Sequence, residues 1–548
     1  MAIANFISRS RSFLVATVLL VVGLSLQIDA ANLRDAASER QLATASLADA
    51  PSLRLHFTLK RSSMAIFGQS EFDVFASPVV SADNTSVSYN GFASFLVDST
   101  FYKFLLVDGV AYYVEQVFGT DGTSTESAQC LAGDSLPPLN GIVSALNSAT
   151  AIASVTSSDS TVNCTSGELF KTSFANADFV VCASGSDGFT IYGSDLDIAV
   201  EYLANDITVS APALDSTTAL SCQTVITETT VTATTLALLT GTAIDTSSLG
   251  TRALKAEADA TIAASSCSCK GTKRPCIFFH GLGVETETGL QDSSDYFGDI
   301  SDSAPCCSSI KYAVLNTVDN AWTSSTLQQK VCDYAISMSS SSSASTKTIA
   351  NTIIVTHSMG GLMLGGALAN GKCKLASTTS WVSLSAPMIG SMGSDYLQDA
   401  CSGNTNGFVS AVANLIGRCP ANTATVSLAY KGESHSTSTL NAAYVAAQTA
   451  FQTYVSAAMC SNGYSGLTST DQIVYALAGS VIPHKSSEND GIVEYQSCSG
   501  GLSTSKFGNT YSSTFYVTKL NHADTAFLHG DGLLSDAKKP VKWFECLL

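Results

Sequence analysis

The chain has 548 residues, of which 45% are hydrophobic and only 13% are charged. This composition can bury a large core and excludes a disordered chain, and the length indicates two folded domains. The formal net charge is −18, whereas nucleic-acid-binding proteins usually carry a basic surface, so we expect no nucleic-acid partner.

The N-terminus has the pattern of a secretory signal. Arg9 and Arg11 precede an apolar stretch of 14 residues, which is too short to span a bilayer comfortably. Ala30 then supplies the small residue that a cleavage site requires. The pattern predicts a signal peptide over residues 1–30, a short segment over residues 31–51, and a secreted, extracellular protein. An uncleaved signal anchor is the alternative.

The cysteines support secretion. Of the sixteen, four lie within residues 130–222 and twelve within residues 267–546, and both even counts predict disulfides that close within each domain. The neighbours Cys306 and Cys307 are expected to bond to different partners. Zinc at Cys267, Cys269 and Cys276 is disfavoured because no further ligands follow at zinc-finger spacing. Sequons that permit glycosylation begin at Asn84 and Asn163.

Residues 52–210 predict an antiparallel all-β domain. Apolar and polar side chains alternate over residues 53–59, as in a half-buried strand. The Asp-Gly pairs at 108–109 and 187–188 each separate two β-rich runs, which is a strong hairpin signal. The pattern allows a sheet, a sandwich or a half-barrel. It leaves open whether this domain binds a glycan, a lipid or a protein partner.

Residues 211–268, rich in Ser, Thr and Ala, are interpreted as a connection between the domains. Residues 269–548 then alternate short apolar runs with stretches of helical period. The predicted strands lie near residues 275–279, 310–316, 350–355, 378–387, 472–479 and 513–520, and the predicted helices near 325–338 and 360–371. This alternation predicts a mostly parallel α/β sheet with helices on both faces.

The stretch IIVTHSMGGLMLGG, residues 353–366, runs from a predicted strand directly into a predicted helix around Ser358. So tight a turn strains its middle residue and exposes that side chain at the carboxyl edge of the sheet. The residues two before and two after must be small, a demand that Gly360 meets and Thr356 meets less well. The N-terminal amides of the helix suit a developing negative charge. Ser358 is therefore the candidate nucleophile.

A second motif, IFFHGLG at residues 277–283, is a predicted strand that ends in His-Gly. From this position a backbone amide can complete an oxyanion hole with the amide after the nucleophile, and we assign the two donors to Leu282 and Met359. Together, FFHGLG and VTHSMGGL resemble the lipases and esterases of the α/β-hydrolase superfamily, over about residues 273–530. The resemblance implies an α/β-hydrolase sheet, with nucleophile, acid and histidine in that chain order. Thr356 departs from the commonest pattern, which has glycine there.

A serine nucleophile needs a base, and the base needs an orienting carboxylate. His522 directly follows the last predicted strand, where the family's base stands, and His529 is the alternative. Lipase-like hydrolases often carry their acid in Asn-Asp-Gly followed by an apolar residue. Residues 489–492 read Asn-Asp-Gly-Ile, so Asp490 is the candidate acid. The alternatives for the acid are Glu488 and Glu494.

These residues imply a serine hydrolase that cleaves carboxylic esters through an acyl-enzyme, with no metal and no cofactor. The family often has a cap where this chain has a long insertion, at about residues 388–470. The first apolar helical stripe there is Phe408, Val409, Val412, Leu415 and Ile416, and the second is Tyr444, Val445, Phe451 and Val455; packing on the core is the alternative for both. A stripe that covered Ser358 would imply an acyl ester or lipid substrate and contact with a lipid interface through the cap. An acyltransferase with the same triad is one alternative. A non-catalytic secreted binding protein on a decayed hydrolase fold is another.

Overall fold

The computed structural model describes residues 46–158, 162–164, 167–184, 186, 188–214, 222–225, 228–244, 260–403 and 410–548. The predicted signal peptide, most of the predicted segment 31–51, and parts of the predicted connection lie outside these residues.

The first domain is built on one antiparallel sheet of 12 strands. The first fourteen strands of the chain are β1 (Leu53–Leu59), β2 (Glu71–Val80), β3 (Ser86–Val97), β4 (Thr100–Val107), β5 (Val110–Phe118), β6 (Ser124–Cys130), β7 (Thr150–Ala151), β8 (Val155–Ser157), β9 (Glu168–Phe174), β10 (Ala177–Ala183), β11 (Phe189–Gly193), β12 (Leu196–Tyr202), β13 (Thr229–Thr230) and β14 (Ala260–Ile262). Their order in the sheet is β6-β5-β4-β3-β2-β1-β12-β11-β10-β9-β7, and β13 pairs with β3. β8 and β14 form a separate parallel pair. Two helices accompany the sheet, α1 (Leu139–Asn147) and α2 (Ala233–Thr240).

Local patterns in this domain behave as predicted. In β1 every second side chain from Leu53 to Leu59 is buried, which confirms the alternation. Asp108 and Gly109 have φ of 50° and 77°, so they form the two-residue turn that joins β4 to β5. β10 and β11 also pair antiparallel, on either side of the second Asp-Gly pair. Asp187 itself lies outside the described residues.

The second domain contains a mixed sheet of eight strands. The remaining strands of the chain are β15 (Arg274–Phe279), β16 (Gly289–Gln291), β17 (Cys307–Val314), β18 (Thr348–Ile349), β19 (Ile353–His357), β20 (Lys374–Leu375), β21 (Ser380–Leu384), β22 (Val455–Ser461), β23 (Phe507–Gly508) and β24 (Phe515–Thr518). The order is β16-β17-β15-β19-β21-β22-β24-β23, and β18 pairs with β20 outside this sheet. The remaining helices are α3 (Ser325–Ser337), α4 (Met359–Ala369), α5 (Met392–Cys401), α6 (Ser410–Ile416), α7 (Thr423–Val426), α8 (Ser438–Tyr454), α9 (Asp471–Val481), α10 (Tyr495–Ser499) and α11 (Pro540–Leu547).

The predicted fold class, a mostly parallel α/β-hydrolase sheet preceded by a β domain, is wrong. The larger sheet is antiparallel, with 12 strands, and the second sheet is mixed because β16 pairs antiparallel with β17. Helices account for only 26% of the structure. Apolar periodicity marks where strands lie but not which strands pair. It therefore left open whether the hairpins join into one sheet, and it missed the three-residue strand β16.

Two element assignments also need correction. Residues 472–479, predicted as a strand, belong to the half-buried helix α9, and the strand that precedes the acid along the chain is β22. The β-branched and aromatic residues of α9 are typical of a strand, but apolar and polar residues do not alternate along it as they do in a half-buried strand. The second predicted cap stripe is divided: Tyr444 and Phe451 of α8 are fully buried core against Trp322 and Trp381, whereas Val445 is 51% exposed.

All sixteen cysteines form disulfides that close within each domain, as predicted. The pairs are Cys130–Cys222, Cys164–Cys182, Cys267–Cys546, Cys269–Cys306, Cys276–Cys307, Cys332–Cys373, Cys401–Cys419 and Cys460–Cys498. Cys306 and Cys307 indeed bond to different partners. This density of disulfides is consistent with an extracellular protein. Of the helices in the described part of the chain, none has the length and apolar character needed to cross a membrane.

Buried ion pairs join the two domains. Asp195, which precedes β12, lies 2.7 Å from the Lys539 ammonium and 2.6 Å from that of Lys542. Arg61, which follows β1, pairs with Glu545 of α11. Burial alone would raise the pKa of Asp195, but the two ammonium groups outweigh it and lower that pKa to about 2. The β domain is thus bonded electrostatically to the C-terminal segment.

Candidate active site

Ser358 lies in the sharp turn between β19 and α4. Its φ of 53° and ψ of −130° are strained for a residue with a side chain. Its amide donates to the Leu384 carbonyl of the neighbouring β21 at 2.9 Å, which anchors the turn to the sheet. The strand-to-helix passage predicted from residues 353–366 is therefore present, with the serine at its apex.

The neighbours of this turn show why small residues are needed. A Cβ on Gly360 would lie 2.6 Å from the Phe279 carbonyl oxygen and 2.8 Å from that of His280, so glycine is required there. Thr356 replaces the usual glycine on the other side. It is fully buried, and its hydroxyl accepts a hydrogen bond from the Trp381 indole at 2.9 Å. The larger side chain is accommodated because its polar atom has a partner.

The structure brings the three predicted triad residues together. His522, in the loop after β24, has its Nε2 2.9 Å from Ser358 Oγ. The Nδ1 of His522 lies 2.7 Å from Oδ2 of Asp490, in the loop after α9. The backbone amide of His522 donates to the Asp490 carbonyl at 2.9 Å, which ties the two loops to each other. A continuous hydrogen-bonded path therefore runs from carboxylate to hydroxyl.

Asp490 is held as a carboxylate. Its second oxygen, Oδ1, accepts from the Ile492 amide at 3.0 Å and the Val493 amide at 2.7 Å. Burial would raise the pKa of Asp490, but the adjacent His522 ring and the two amides together lower it. An ionised acceptor at Nδ1 fixes the proton of His522 on that nitrogen. Nε2 is then free to accept the proton of Ser358.

The alternative base and acids are engaged elsewhere. His529 Nδ1 lies 2.7 Å from Asp524 Oδ1, and its Nε2 lies 3.4 Å from Asp471 Oδ2. Burial would lower the pKa of His529, but these two carboxylates raise it. Both ring nitrogens therefore already have carboxylate partners, and neither is paired with Ser358. Glu494 pairs with His484 at 2.8 Å, and Glu488 accepts from Asn462 at 3.3 Å.

Sequence reasoning missed a hydrogen-bonded chain, from Tyr296 through His357, that supports the backbone of His522. The Tyr296 hydroxyl lies 2.7 Å from His357 Nδ1, and His357 Nε2 lies 3.0 Å from the His522 carbonyl oxygen. A carbonyl only accepts, so His357 carries its proton on Nε2 and accepts from Tyr296 on Nδ1. Burial, followed by the nearby His522 ring, lowers the pKa of His357 well below its usual range, so this ring stays neutral. Tyr296 belongs to a segment without any motif, so no sequence signal marked it.

The loop predicted to complete an oxyanion hole approaches the serine closely. A Cβ on Gly281 would lie 2.6 Å from Ser358 Cβ, so only glycine fits. His280 secures the loop by donating to the Gly281 carbonyl at 2.8 Å and accepting from the Leu315 amide at 3.0 Å. Leu282 lines the cavity beside Ser358, and Met359 opens α4, where amides lack helical acceptors. Their role as oxyanion donors stays a prediction.

A cavity of about 860 Å³ opens over Ser358 and His522. Its apolar lining includes Leu282, Val318, Leu415, Ile416, Leu428, Ile492 and Val493. Leu415 and Ile416 belong to α6, so part of the first predicted cap stripe lines the same cavity as the serine. The charged residues at this cavity are Glu285, Asp295, Arg418 and Asp471. Phe408 and Val409 of the same stripe lie outside the described residues.

No family model matches this chain, and a search of curated proteins finds no match either. The role of each side chain is therefore inferred from its own contacts.

Proposed function

We propose that this protein is a secreted serine hydrolase that cleaves carboxylic esters, of the lipase or esterase type that its two motifs suggest. The observation that carries the proposal is the hydrogen-bonded path from Asp490 through His522 to Ser358, with separations of 2.7 and 2.9 Å. A serine at a strained turn, a correctly protonated imidazole and a buried carboxylate together form the arrangement that acyl transfer needs.

In the proposed reaction, Ser358 Oγ attacks the ester carbonyl carbon while its proton passes to His522 Nε2. Asp490 stabilises the imidazolium that forms. The amides of Leu282 and Met359 would bind the oxyanion, and each such donor is worth about 3 kcal/mol. Collapse of the intermediate breaks the ester C–O bond, and the leaving alcohol takes the proton from His522. Water then attacks the acyl-enzyme by the same route and releases the carboxylic acid.

The lining of the cavity supports an ester with an apolar acyl chain. Its volume lies in the upper part of the range for ligand pockets, about 300 to 1,000 Å³, and leucine, isoleucine and valine side chains form a large part of its lining, beside polar and charged residues. Contact of α6 with a lipid interface would be the way in which a long-chain substrate enters. This substrate class and this contact are parts of the same proposal.

A fluorophosphonate probe tests the proposal directly. Wild-type protein should be labelled at Ser358, and it should hydrolyse p-nitrophenyl esters. Ser358→Ala protein should do neither. Absence of labelling in correctly folded protein would favour a non-catalytic binding protein. Product analysis with an added alcohol distinguishes a hydrolase from an acyltransferase. An acyltransferase would form a new ester, whereas a hydrolase would form the free acid.

A further inference from the structure

A second cavity, of about 330 Å³, lies between the two domains. The β domain contributes Ile66, Leu106 and the loop at 133–138, and the second domain contributes Leu467 and residues 531–535. It shares no lining residue with the cavity at Ser358. Its volume is at the small end of the range for ligand pockets, about 300 to 1,000 Å³, so it suits one chain rather than a two-chain lipid.

Two lysines line this cavity without a carboxylate partner. Lys538 is only 7% exposed, and its ammonium donates to the carbonyl oxygens of Asp134 at 2.8 Å and Gly466 at 2.9 Å. Lys519 donates to the Asn462 carbonyl at 3.3 Å. Within the described ranges, no carboxylate oxygen lies within 4 Å of either ammonium. An ammonium offers three donors, so the two carbonyls leave one donor of Lys538 unused.

The burial of Lys538 is energetically unfavourable. Burial lowers its pKa to about 8, because the more distant carboxylates of Asp134 and Asp524 compensate only in part and the Lys519 ammonium lowers the pKa further. Asp531, the other acidic residue of the lining, is already engaged by Ser63 and by the amides of Val541 and Lys542. A bound anion would supply the missing counter-charge.

Part of the cavity lining is apolar. Ile66, Leu106, Leu136, Leu139 and Leu533 also line an adjoining space of about 50 Å³. Aromatic rings of the 12-stranded sheet, among them Phe57, Phe72, Phe95 and Phe104, complete that space. Two ammonium groups and an adjoining apolar recess in one lining match a molecule with an anionic head and one alkyl chain.

We propose that the interdomain cavity binds a single-chain amphiphilic anion, with its head group at Lys538 and Lys519 and its alkyl chain against Leu106 and the phenylalanines of the sheet. A fatty carboxylate is the simplest member of this class. Alkyl phosphates share the same chemistry. This site does not depend on the proposed hydrolysis at Ser358.

Isothermal titration of the full-length protein with dodecanoate tests the site. Dodecanol lacks the charge, acetate lacks the chain, and both should bind far more weakly. Octanoate has four fewer methylenes and should bind about 100-fold more weakly, given the transfer free energy of each buried methylene. Dodecyl phosphate tells whether the head-group contacts select the carboxylate. Equal binding of dodecanol and dodecanoate would overturn the proposal.

Variants locate the binding. Lys538→Met removes the charge and should weaken dodecanoate binding about ten-fold or more. Lys519→Met keeps the proposal testable if Lys538→Met fails to fold, because Lys519 is only half-buried. Leu106→Trp fills the interdomain cavity and should abolish binding, whereas the matched Leu415→Trp, in the cavity at Ser358, should leave this binding intact. Unchanged binding in Leu106→Trp, or a loss confined to Leu415→Trp, would assign the ligand to another site and refute the proposal.

Discussion

Replacement of Asp195 by asparagine tests how strongly the β domain is bonded to the second domain. Asp195 is 8% exposed and contacts both Lys539 and Lys542. Its pKa falls from 3.8 to about 2, which corresponds to roughly 2.5 kcal/mol of folding free energy at neutral pH. Removal of one partner from a buried pair typically costs about 3–5 kcal/mol, because the remaining charge stays buried. We therefore expect Asp195→Asn to lower the free energy of unfolding by about 2.5–5 kcal/mol.

The assay is urea unfolding at pH 7, followed by the fluorescence of tryptophan, since Trp543 adjoins Lys542 in α11. Asp197→Asn is the matched control. Asp197 lies two residues along the chain and pairs with Lys60 at 2.7 Å, but both belong to the β domain and are more exposed. Such a pair should contribute less than about 1 kcal/mol. If Asp195→Asn costs no more than Asp197→Asn, the buried pairs do not hold the domains together.

The pH dependence gives a second readout of the same carboxylate. Because the folded pKa of Asp195 is depressed, its contribution is complete above the unfolded value of 3.8 and is lost as the pH falls towards about 2. The difference in free energy of unfolding between wild type and Asp195→Asn should therefore stay constant from pH 7 to about pH 5 and shrink below about pH 4. A difference that already shrinks between pH 7 and pH 5 would point to another titrating group.

Five further variants test the candidate active site. Ser358→Ala should abolish hydrolysis of p-nitrophenyl esters. The Tm should change little, because the side chain faces the cavity. Residual activity near the wild-type level would contradict the role of Ser358 as nucleophile. His522→Ala should reduce kcat by several orders of magnitude, and His529→Ala, remote from the serine, should have a small effect; the reverse order would exchange their roles. Asp490→Asn should keep the fold, by circular dichroism, yet reduce the rate about 10⁴-fold by favouring the wrong tautomer of the base. Gly281→Ala should reduce fluorophosphonate labelling strongly, because its Cβ would lie 2.6 Å from Ser358 Cβ, and undiminished labelling would show that the loop can move aside.

The sequence was most informative where one short stretch determines a conformation. The turn at Ser358 could be predicted because strand, serine, glycine and helix follow each other within a few residues. The approach of Asp490 and His522 to this serine was predicted from a resemblance, since residues 32 apart along the chain carry no local signal of contact. The type of α9 and the pairing of β16 could not be predicted, because both depend on packing against distant elements rather than on local periodicity.

The contacts between domains were the least predictable part, and they change how the second domain should be regarded. Every candidate catalytic residue lies after residue 273, which suggests a self-sufficient domain. In the structure, however, Glu545 and Asp531 of that domain are neutralised by Arg61 of the β domain, and its Lys539 and Lys542 by Asp195. In a fragment that began at residue 265, the charges of Asp531, Lys539, Lys542 and Glu545 would lose these partners from the β domain. The β domain therefore contributes to the stability of the candidate site without contributing a residue to its chemistry.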